Sequence, residues 1–402
     1  MSTRRTPPAA EPPGGGHEAL APSYPPDSVG LVATRLLTLG ADRPLRLESG
    51  AVLAPVTVAY ETYGELSAAG DNAVLVCHAL SGSAHAAGYH GTGADEKPGW
   101  WELMVGPGKA IDTTRWFVIC SNFLGSCYGT TGPTSVDPAT GRRWGINFPL
   151  FTIRDMVELQ RLLLDELGIA RLLAVVGGSM GGMQALQWAI SHPDRVAGVI
   201  PIATAGGMSA QGIAFNEVGR RAIMGDPLWR GGEYPESDPP AHGLALARMV
   251  GHITYLSEEA MHRKFGRRRL ADEPGSSFGR EFEVEDYLRA QGDKFVRRFD
   301  ANTYLYLTRA MDSFDLVADH GSLQNAFAGC TSSFLVVSFR SDWLFPPSQS
   351  QAIVQALKRS GHDVAYANLE SDQGHDAFLL PGNRLGDLLP GFLARLHERG
   401  PR

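Results

Sequence analysis

The chain has 402 residues, of which 43% are hydrophobic and 20% are charged, a composition typical of a globular protein with a well-packed core. Lysine and arginine number 36 against 43 acidic residues, and the net charge of −7 offers no electrostatic footprint for nucleic acid or for an anionic membrane. No run of about 18 apolar residues is present, which excludes a bilayer-spanning segment.

The cysteines and the N-terminal segment indicate the cellular environment. Cys77, Cys120, Cys127 and Cys330 lie mostly beside apolar, strand-like runs, which favours free thiols in a reducing compartment. No CxxC pair or Cys/His cluster has zinc spacing, so no metal site is predicted. Residues 1–30 are rich in Pro, Gly and Ala and lack the apolar segment of a signal peptide. We therefore expect a disordered tail and a cytoplasmic protein.

The pattern of apolar residues changes along the chain. Pro44–Tyr63 alternates apolar and polar residues around a Ser-Gly pair, which predicts a hairpin. Helical spacing over Ile153–Leu167 predicts the crossover helix of a βαβ unit. Four continuous apolar runs are typical of strands buried on both faces of a parallel sheet: Val74–Cys77, Phe117–Cys120, Leu172–Val176 and Val199–Ile202.

Residues 205–324 contain helical patterns and no strand-like runs, and strand patterns resume with Phe334–Phe339 and Val364–Leu369. We therefore predict an α/β core over residues 31–204 and 325–402, with a mostly parallel sheet flanked by helices, and a helical lid insertion over 205–324. A basic run at 263–269 is interpreted as a solvated helix end, with contact to a phosphate-bearing ligand as the alternative.

The strongest motif is GGSMG at residues 177–181, a G-x-S-x-G sequence between the apolar run 172–176 and a helix-like segment, 182–190. A strand-turn-helix setting is typical of a nucleophile elbow, in which glycines let the strand and the helix approach closely. We therefore predict that Ser179 is a nucleophile. A glycine-rich loop that caps a helix is the structural alternative.

A nucleophilic serine needs a histidine base, and the histidine needs an acid to orient it. Asp342 follows the strand-like run Phe334–Phe339, and His375 follows Val364–Leu369. Loops at the carboxyl ends of parallel strands carry the catalytic residues of open α/β sheets. The chain order Ser, acid, His is that of α/β-hydrolases, so we predict this fold and a Ser179-Asp342-His375 triad.

An oxyanion hole requires two backbone N–H groups aimed at the developing negative charge. Met180, directly after the nucleophile, is predicted to supply one, and Leu80, in the loop after the first buried strand, the other. His78, His85 and His90 in the same loop suit no single helix face. We expect them to form hydrogen bonds or pack within the loop rather than bind a metal.

These motifs together resemble those of the homoserine O-acyltransferases, and of the homoserine O-acetyltransferases in particular. The matches run from about Leu45 to Leu380 and include LESGAVLAPVTVAYETYGEL, HALSGSAH, IDTTRWFVICSNFLGSC, GGSMGGMQALQWA, ARMVGHITYLSE and QGHDAFLLP. The chain departs from the family pattern at Gly219, Ser126 and Tyr128.

The resemblance implies an enzyme that works by double displacement. Ser179 would take an acetyl group from acetyl-CoA and pass it to the side-chain hydroxyl of L-homoserine, a step of methionine biosynthesis. It also implies that Arg248 binds the carboxylate of homoserine and Asp376 its ammonium, a pairing that suits a zwitterion. Acetyl-CoA would be a substrate, with no cofactor required, and the expected assembly is a homodimer formed through the insertion.

Alternatives to this function remain open at the level of the sequence. An α/β-hydrolase that cleaves esters or lactones would use the same triad with water as the acceptor. A catalytically silent scaffold is disfavoured because the whole triad and the elbow glycines are present. A homoserine O-succinyltransferase is the third alternative. In succinyl-using relatives an arginine is expected two residues after the catalytic Asp, and here that position is Leu344, which favours an acetyl donor.

Overall fold

The computed structural model describes residues 24–93, 95–270 and 279–400. Its strands within these residues are β1 (Arg35–Leu39), β2 (Leu45–Arg46), β3 (Val52–Leu53), β4 (Val56–Tyr63), β5 (Ala73–Cys77), β6 (Val105–Gly106), β7 (Ile111–Asp112), β8 (Phe117–Ser121), β9 (Leu172–Gly178), β10 (Val196–Ile202), β11 (Ser333–Phe339) and β12 (Val364–Leu369). Its helices are α1 (Ile153–Glu166), α2 (Met180–Ser191), α3 (Ala210–Met224), α4 (Ala241–Tyr255), α5 (Glu258–Phe265), α6 (Glu283–Val296), α7 (Ala301–Ser313), α8 (Leu316–His320), α9 (Leu323–Phe327), α10 (Pro347–Arg359) and α11 (Leu389–Arg399).

Eight strands form one sheet in the order β1-β4-β8-β5-β9-β10-β11-β12. β4 pairs antiparallel with β1 and β8, and every later pair in this order is parallel. Parallel strands need cover on both faces, and successive residues of β9 show that cover. Val175 packs in the core that contains Leu186 of α2, whereas Val176 packs in the core that contains Phe392 of α11. The predicted α/β-hydrolase fold is confirmed.

The apolar runs and the crossover helix of the prediction correspond to strands β5, β8, β9, β10, β11 and β12 and to α1. The predicted hairpin is shorter than expected, since only Leu45–Arg46 and Val52–Leu53 pair with each other. β4 instead joins the main sheet, because nearly all of its side chains are buried there. The edge strand β1 was not predicted, and its first two residues, Arg35 and Leu36, are exposed.

Helices α3 to α9 lie between β10 and β11, where the lid insertion was predicted. The boundary predicted at residue 324 falls inside α9. Three cations of the basic run form ion pairs: Arg263 with Asp372, Arg268 with Glu283, and Arg269 with Glu281. These pairs offset part of the positive charge of the run, and contact to a phosphate-bearing ligand stays a prediction. The expected homodimer stays a prediction, and α3 and α4 expose large apolar side chains at Ile213, Val218, Leu246 and Ile253.

Other expectations concern the thiols, the tail and the membrane. All four cysteines are free, and burial raises the pKa of the Cys77 thiol to about 12. Residues 1–23 of the predicted tail lie outside the described residues, and Tyr24 stacks on Tyr89 with ring centroids 5.0 Å apart. Among the described residues, no helix combines the length and the apolar character that a membrane crossing requires.

Candidate active site

Ser179 lies at the sharp turn between β9 and α2, at the carboxyl edge of the sheet. Its backbone has φ +58° and ψ −123°, a strained conformation for a residue with a side chain. Neighbouring groups hold this turn in place: the Ser179 N–H donates to the carbonyl of Ile202 at 2.9 Å, and the Thr204 hydroxyl donates to the Ser179 carbonyl at 2.8 Å. The local structure is that of a nucleophile elbow.

The glycines of the motif are required by close backbone contacts. A Cβ atom added to Gly177 would lie 2.4 Å from the backbone of Gly181, and one added to Gly181 would lie 2.1 Å from the carbonyl oxygen of Cys77. Both distances are far below van der Waals contact, so β9, α2 and the end of β5 can approach this closely only with glycine at both positions. The motif therefore does more than cap a helix.

Asp342 and His375 follow β11 and β12, as predicted, and the two side chains meet. His375 Nδ1 lies 2.7 Å from Asp342 Oδ2, and both side chains are buried. The other carboxylate oxygen of Asp342 accepts the backbone N–H groups of Leu344 at 3.0 Å and Phe345 at 2.9 Å. Because both oxygens of Asp342 are occupied, the carboxylate is fixed and holds the proton of His375 on Nδ1. His375 Nε2 is then free to act as a base.

The surroundings of His375 affect its pKa in opposite directions. Burial lowers the pKa, since it disfavours the charged ring, but the charge and hydrogen bond of Asp342 and the charge of Asp376 raise it. The net result is a pKa above the ordinary value for histidine. A base whose protonated form is stabilised in this way suits a site where the ring takes up a proton during the reaction.

Ser179 opens into a cavity of about 40 Å³ that also contains Leu80 and Leu344. The remaining lining residues are neutral: Met208, Gly212, Phe215, Asn216, Val250, Gly251, Thr254, Tyr255, Tyr304, Met311 and Phe345. None of the described residues that line it carries a formal charge. A larger cavity of about 420 Å³, beside Trp144 and Tyr234, contains no triad residue.

Two aromatic residues connect this cavity to the histidine. Phe345 and Tyr255 both line the cavity, and their ring centroids lie 5.1 Å and 6.2 Å from that of His375. The hydrogen bonds among the described residues include none from Ser179 Oγ to His375. Catalytic hydrogen bonds of this kind often tighten only when substrate binds. Ser179 and His375 are thus linked through Phe345 and Tyr255, which line the cavity at Ser179 and also pack near the imidazole.

The two predicted oxyanion-hole residues lie beside the nucleophile. Met180 is the first residue of α2, so its N–H has no partner within the helix. Leu80 lines the same cavity as Ser179, and its N–H donates to no other group in the described part of the chain. Two free N–H groups next to a serine hydroxyl can stabilise a negatively charged oxygen in a tetrahedral intermediate.

Arg248 projects from α4 toward the loop that carries Leu80. Its guanidinium donates to Ser81 Oγ at 3.3 Å and lies 4.7 Å from the ring centroid of Phe295. Asp376 is half-buried, and its pKa is raised by burial, although the charges of His375 and Arg248 act to lower it. Arg248 and Asp376 therefore interact through space, yet no ion pair within 4.0 Å joins them in the described structure. A gap between opposite charges can receive a zwitterion.

Sequence reasoning missed a second cation at this site, Arg298. Its guanidinium donates to the Ser81 carbonyl at 3.0 Å and to the Tyr128 hydroxyl at 2.8 Å, and it lies 5.2 Å from the ring centroid of Phe295. Arg248 and Arg298 thus both pack on Phe295. The departure of the chain from the family pattern at Tyr128 was the available signal, because it gives Arg298 its hydroxyl partner.

The departure at Gly219 also has a structural reason. A Cβ atom at this position would lie 2.7 Å from the hydroxyl of Tyr304, which lines the cavity at Ser179. A larger residue would displace the Tyr304 ring. The glycine therefore makes room for one wall of the cavity.

The three histidines of the loop have different partners. His78 stacks on Phe123 with ring centroids 4.1 Å apart, and burial lowers its pKa to about 4, so the ring is neutral. His85 and His90 instead both contact Glu61 of β4. Sequence spacing could not reveal this contact, because Glu61 precedes His85 by 24 residues and His90 by 29 and reaches them only through the sheet.

Comparisons with known proteins agree with this fold. A family model described as "alpha/beta hydrolase fold" matches residues 72–381. The homoserine O-acetyltransferase of Solidesulfovibrio magneticus is 57% identical over 374 residues, which cover 92% of this chain and 94% of that protein. The crystal structure of homoserine O-acetyltransferase from Bacillus anthracis is 31% identical with a TM-score of 0.84, covering 90% of this chain and 98% of that one. The crystal structure of esterase E22 is 32% identical with a TM-score of 0.83, covering 90% and 100%.

Proposed function

Because the chain belongs to the homoserine O-acetyltransferase family, we propose that Ser179 carries an acetyl group from acetyl-CoA to the side-chain hydroxyl of L-homoserine. The family consists of acyltransferases, and membership implies a role in methionine biosynthesis. One observation supports the proposal most: Phe345 and Tyr255 line the cavity at the elbow serine and also pack near His375, which forms a buried pair with Asp342. The proposed chemistry requires no cofactor.

In the first half-reaction, Ser179 Oγ gives its proton to His375 and bonds to the thioester carbon of acetyl-CoA. The carbonyl oxygen becomes an oxyanion that accepts hydrogen bonds from the Leu80 and Met180 N–H groups. The C–S bond then breaks, and His375 gives the proton to the departing sulfur. CoA leaves as the free thiol, and Ser179 is acetylated. Asp342 stabilises the imidazolium throughout.

In the second half-reaction, the side-chain hydroxyl of homoserine gives its proton to His375 and attacks the acetyl carbon. A second oxyanion forms in the same place. The bond between the carbon and Ser179 Oγ breaks, and His375 returns the proton to the serine. The product is O-acetyl-L-homoserine, and the enzyme is restored with no net change in its protonation.

The opposite charges at the site support an amino acid as the acceptor. A guanidinium binds a carboxylate through two parallel hydrogen bonds, and a carboxylate binds an ammonium. In the proposed complex, Arg248 contacts the carboxylate of homoserine and Asp376 its ammonium. One homoserine zwitterion then fills the gap between the two side chains. Its two charged groups are fixed, so its hydroxyl is oriented toward Ser179.

A hydrolase is the second candidate, because esterase E22 is as similar to this chain as the transferase from Bacillus anthracis. In a hydrolase, water would be the acceptor and would discharge the acyl-enzyme without added homoserine. The rate of CoA release from acetyl-CoA, with and without homoserine, separates the two functions. We expect turnover to depend on homoserine.

The acyl-enzyme itself provides a direct test. Enzyme mixed with acetyl-CoA alone should gain the mass of one acetyl group, located on Ser179 by peptide mass spectrometry. Ser179→Ala should abolish the label, and Ser360→Ala, at the end of α10, should retain it. Subsequent addition of homoserine should remove the label from the wild type. A label on another residue, or one that homoserine does not discharge, would contradict the mechanism.

The choice of acyl donor follows from the neutral cavity at Ser179. A succinyl group would place a carboxylate in this cavity, where none of the described lining residues is charged. Burial of an unpaired carboxylate costs several kcal/mol. We therefore expect kcat/KM to be about 10²-fold or more higher with acetyl-CoA than with succinyl-CoA. Leu344→Arg supplies a cation and should change the ratio of the two kcat/KM values by about 10-fold in favour of succinyl-CoA.

Leu344→Met is the control for the donor experiment, because it changes the shape of the side chain without adding charge. It should keep the preference of the wild type. A wild type that uses succinyl-CoA better than acetyl-CoA would show that a cation outside the cavity lining pairs with the donor. Equal shifts in the Arg and Met variants would show that shape, not charge, decides.

A further inference from the structure

A cluster outside the active site joins β4 to the loop that follows β5. It consists of Glu61, His85 and His90. Glu61 Oε2 lies 3.0 Å from His85 Nδ1, Glu61 Oε1 lies 2.7 Å from His90 Nε2, and the two imidazole centroids are 3.7 Å apart. The proposed acyl transfer uses none of these three residues. We call this group the Glu61 cluster.

The carboxylate of Glu61 is fully buried, so its charge requires nearby compensation. Burial alone would raise its pKa, but hydrogen bonds from His85, Thr34 and His90 outweigh this effect and lower the pKa to about 2. Thr34 donates to one oxygen at 2.7 Å, and the hydroxyl of Tyr63 donates to the other at 2.9 Å. Glu61 is therefore an ionised carboxylate. The hydroxyls of Thr34 and Tyr63 hold it in one orientation and do not depend on the contacts with the two histidines.

The geometry of the cluster matches a metal coordination shell. One nitrogen from each histidine and one oxygen from Glu61 all lie within 4.8 Å of one another. Metal–ligand bonds of about 2.1 Å put adjacent ligand atoms about 3 Å apart. The two nitrogen–oxygen distances, 3.0 Å and 2.7 Å, are close to this value, and the two histidine nitrogens lie within 4.8 Å of each other.

From this geometry we propose that Glu61, His85 and His90 bind a divalent first-row transition-metal ion. Two imidazoles and one carboxylate are a donor set that Zn²⁺, Co²⁺ and Fe²⁺ accept, and it leaves positions for water. Each ring binds the ion through the nitrogen that faces Glu61, so a neutral ring keeps its proton on the other nitrogen, whereas a protonated ring releases one proton. The His90 side chain is 41% exposed, which gives the ion a path from solvent.

The second coordination sphere is only partly formed. The hydroxyls of Thr34 and Tyr63 support the carboxylate ligand, as outer partners do in metal sites. The Nε2 atom of His85, in contrast, is buried with no hydrogen-bond partner among the described residues. A missing outer partner weakens affinity, so we expect a dissociation constant in the micromolar range rather than the tight binding of a structural zinc site.

This site lies in the segment that positions the proposed oxyanion hole. His85 belongs to the loop that carries Leu80, and Ala84 next to it donates its N–H to Asn122 at 2.6 Å. A metal held by Glu61 and His85 would tie this loop to the sheet at a second point. The proposal replaces the expectation of purely hydrogen-bonding histidines, which rested on spacing within the loop and took no account of Glu61.

Titration of tag-free, chelator-treated protein with Co²⁺ tests the proposal. We expect one equivalent to bind, with visible absorption of the intensity typical of a protein-bound, low-coordinate Co²⁺ and with displacement of the band by Zn²⁺. His90→Ala should weaken binding by about 100-fold or more. Its partly exposed side chain makes this variant the least disruptive to the fold. His262→Ala removes an exposed histidine of α5 and should bind like the wild type.

Calorimetric titration with Zn²⁺ gives an independent readout, including the number of protons released in buffers of different ionisation enthalpy. Proton release that approaches two per ion at a pH where both free rings are protonated, and falls toward zero where both are neutral, supports coordination by both histidines. The proposal fails if the wild type shows no saturable one-equivalent site, or if His90→Ala and His85→Ala, shown by circular dichroism to be folded, bind the ion as tightly as the wild type does.

Discussion

Replacement of His375 by alanine is expected to lower kcat by about 10⁴-fold or more, because Ser179 then has no base in either half-reaction. Asp342→Asn should cost a similar order of magnitude, since the amide can no longer hold the proton on Nδ1 of His375. The double variant should be little slower than His375→Ala alone, because the three residues act as one unit. Losses that multiply in the double variant would contradict a shared triad.

The pH profile gives this prediction a second readout. His375 must be neutral to accept a proton, and the charge of Asp342 raises its pKa. In the wild type, kcat/KM should therefore decline as the pH falls through a value above the ordinary histidine pKa of about 6.5. Asp342→Asn removes the negative charge and lowers the pKa, so the acidic limb of its residual activity should move to lower pH. An unmoved limb would assign that titration to another group.

The candidate triad could be predicted because each member has a local signature. Ser179 lies in a motif that specifies its own turn, and Asp342 and His375 each follow a strand-like run, Phe334–Phe339 and Val364–Leu369. The parallel sheet then aligns the carboxyl ends of β9, β11 and β12 at one edge. Knowing that these strands are parallel is therefore enough to bring together residues that are far apart in sequence.

Contacts between side chains from unrelated elements could not be predicted in the same way. Arg298 lies two residues after α6, beside Arg297, in a sequence typical of a solvated helix end, yet it contacts the Ser81 carbonyl and Tyr128. Glu61 lies in an apolar strand, where sequence alone does not indicate what compensates its charge. Its partners, His85 and His90, belong to a loop whose path depends on the packing of the whole domain.

Arg248→Lys should separate the two half-reactions. Lysine keeps the positive charge but cannot form two parallel hydrogen bonds to a carboxylate, so we expect the discharge of acetyl-Ser179 by homoserine to slow by about 10²-fold. Formation of the acetyl-enzyme from acetyl-CoA should change by less than about 3-fold, because the thioester has no contact with this side chain in the proposed complex. Rapid-quench measurement of each step, with the acetyl-enzyme followed by intact mass, gives the two rates.

A truncated acceptor identifies the group that Arg248 contacts. The amino alcohol obtained by removing the carboxylate from homoserine lacks the partner of the guanidinium, so wild type and Arg248→Lys should use it at nearly the same rate. Arg289→Lys, an exposed arginine of α6, controls for the substitution itself and should leave both steps unchanged. If Arg248→Lys slows acylation and discharge equally, or slows the truncated acceptor as much as homoserine, then Arg248 acts on the loop through Ser81 and does not bind the substrate carboxylate.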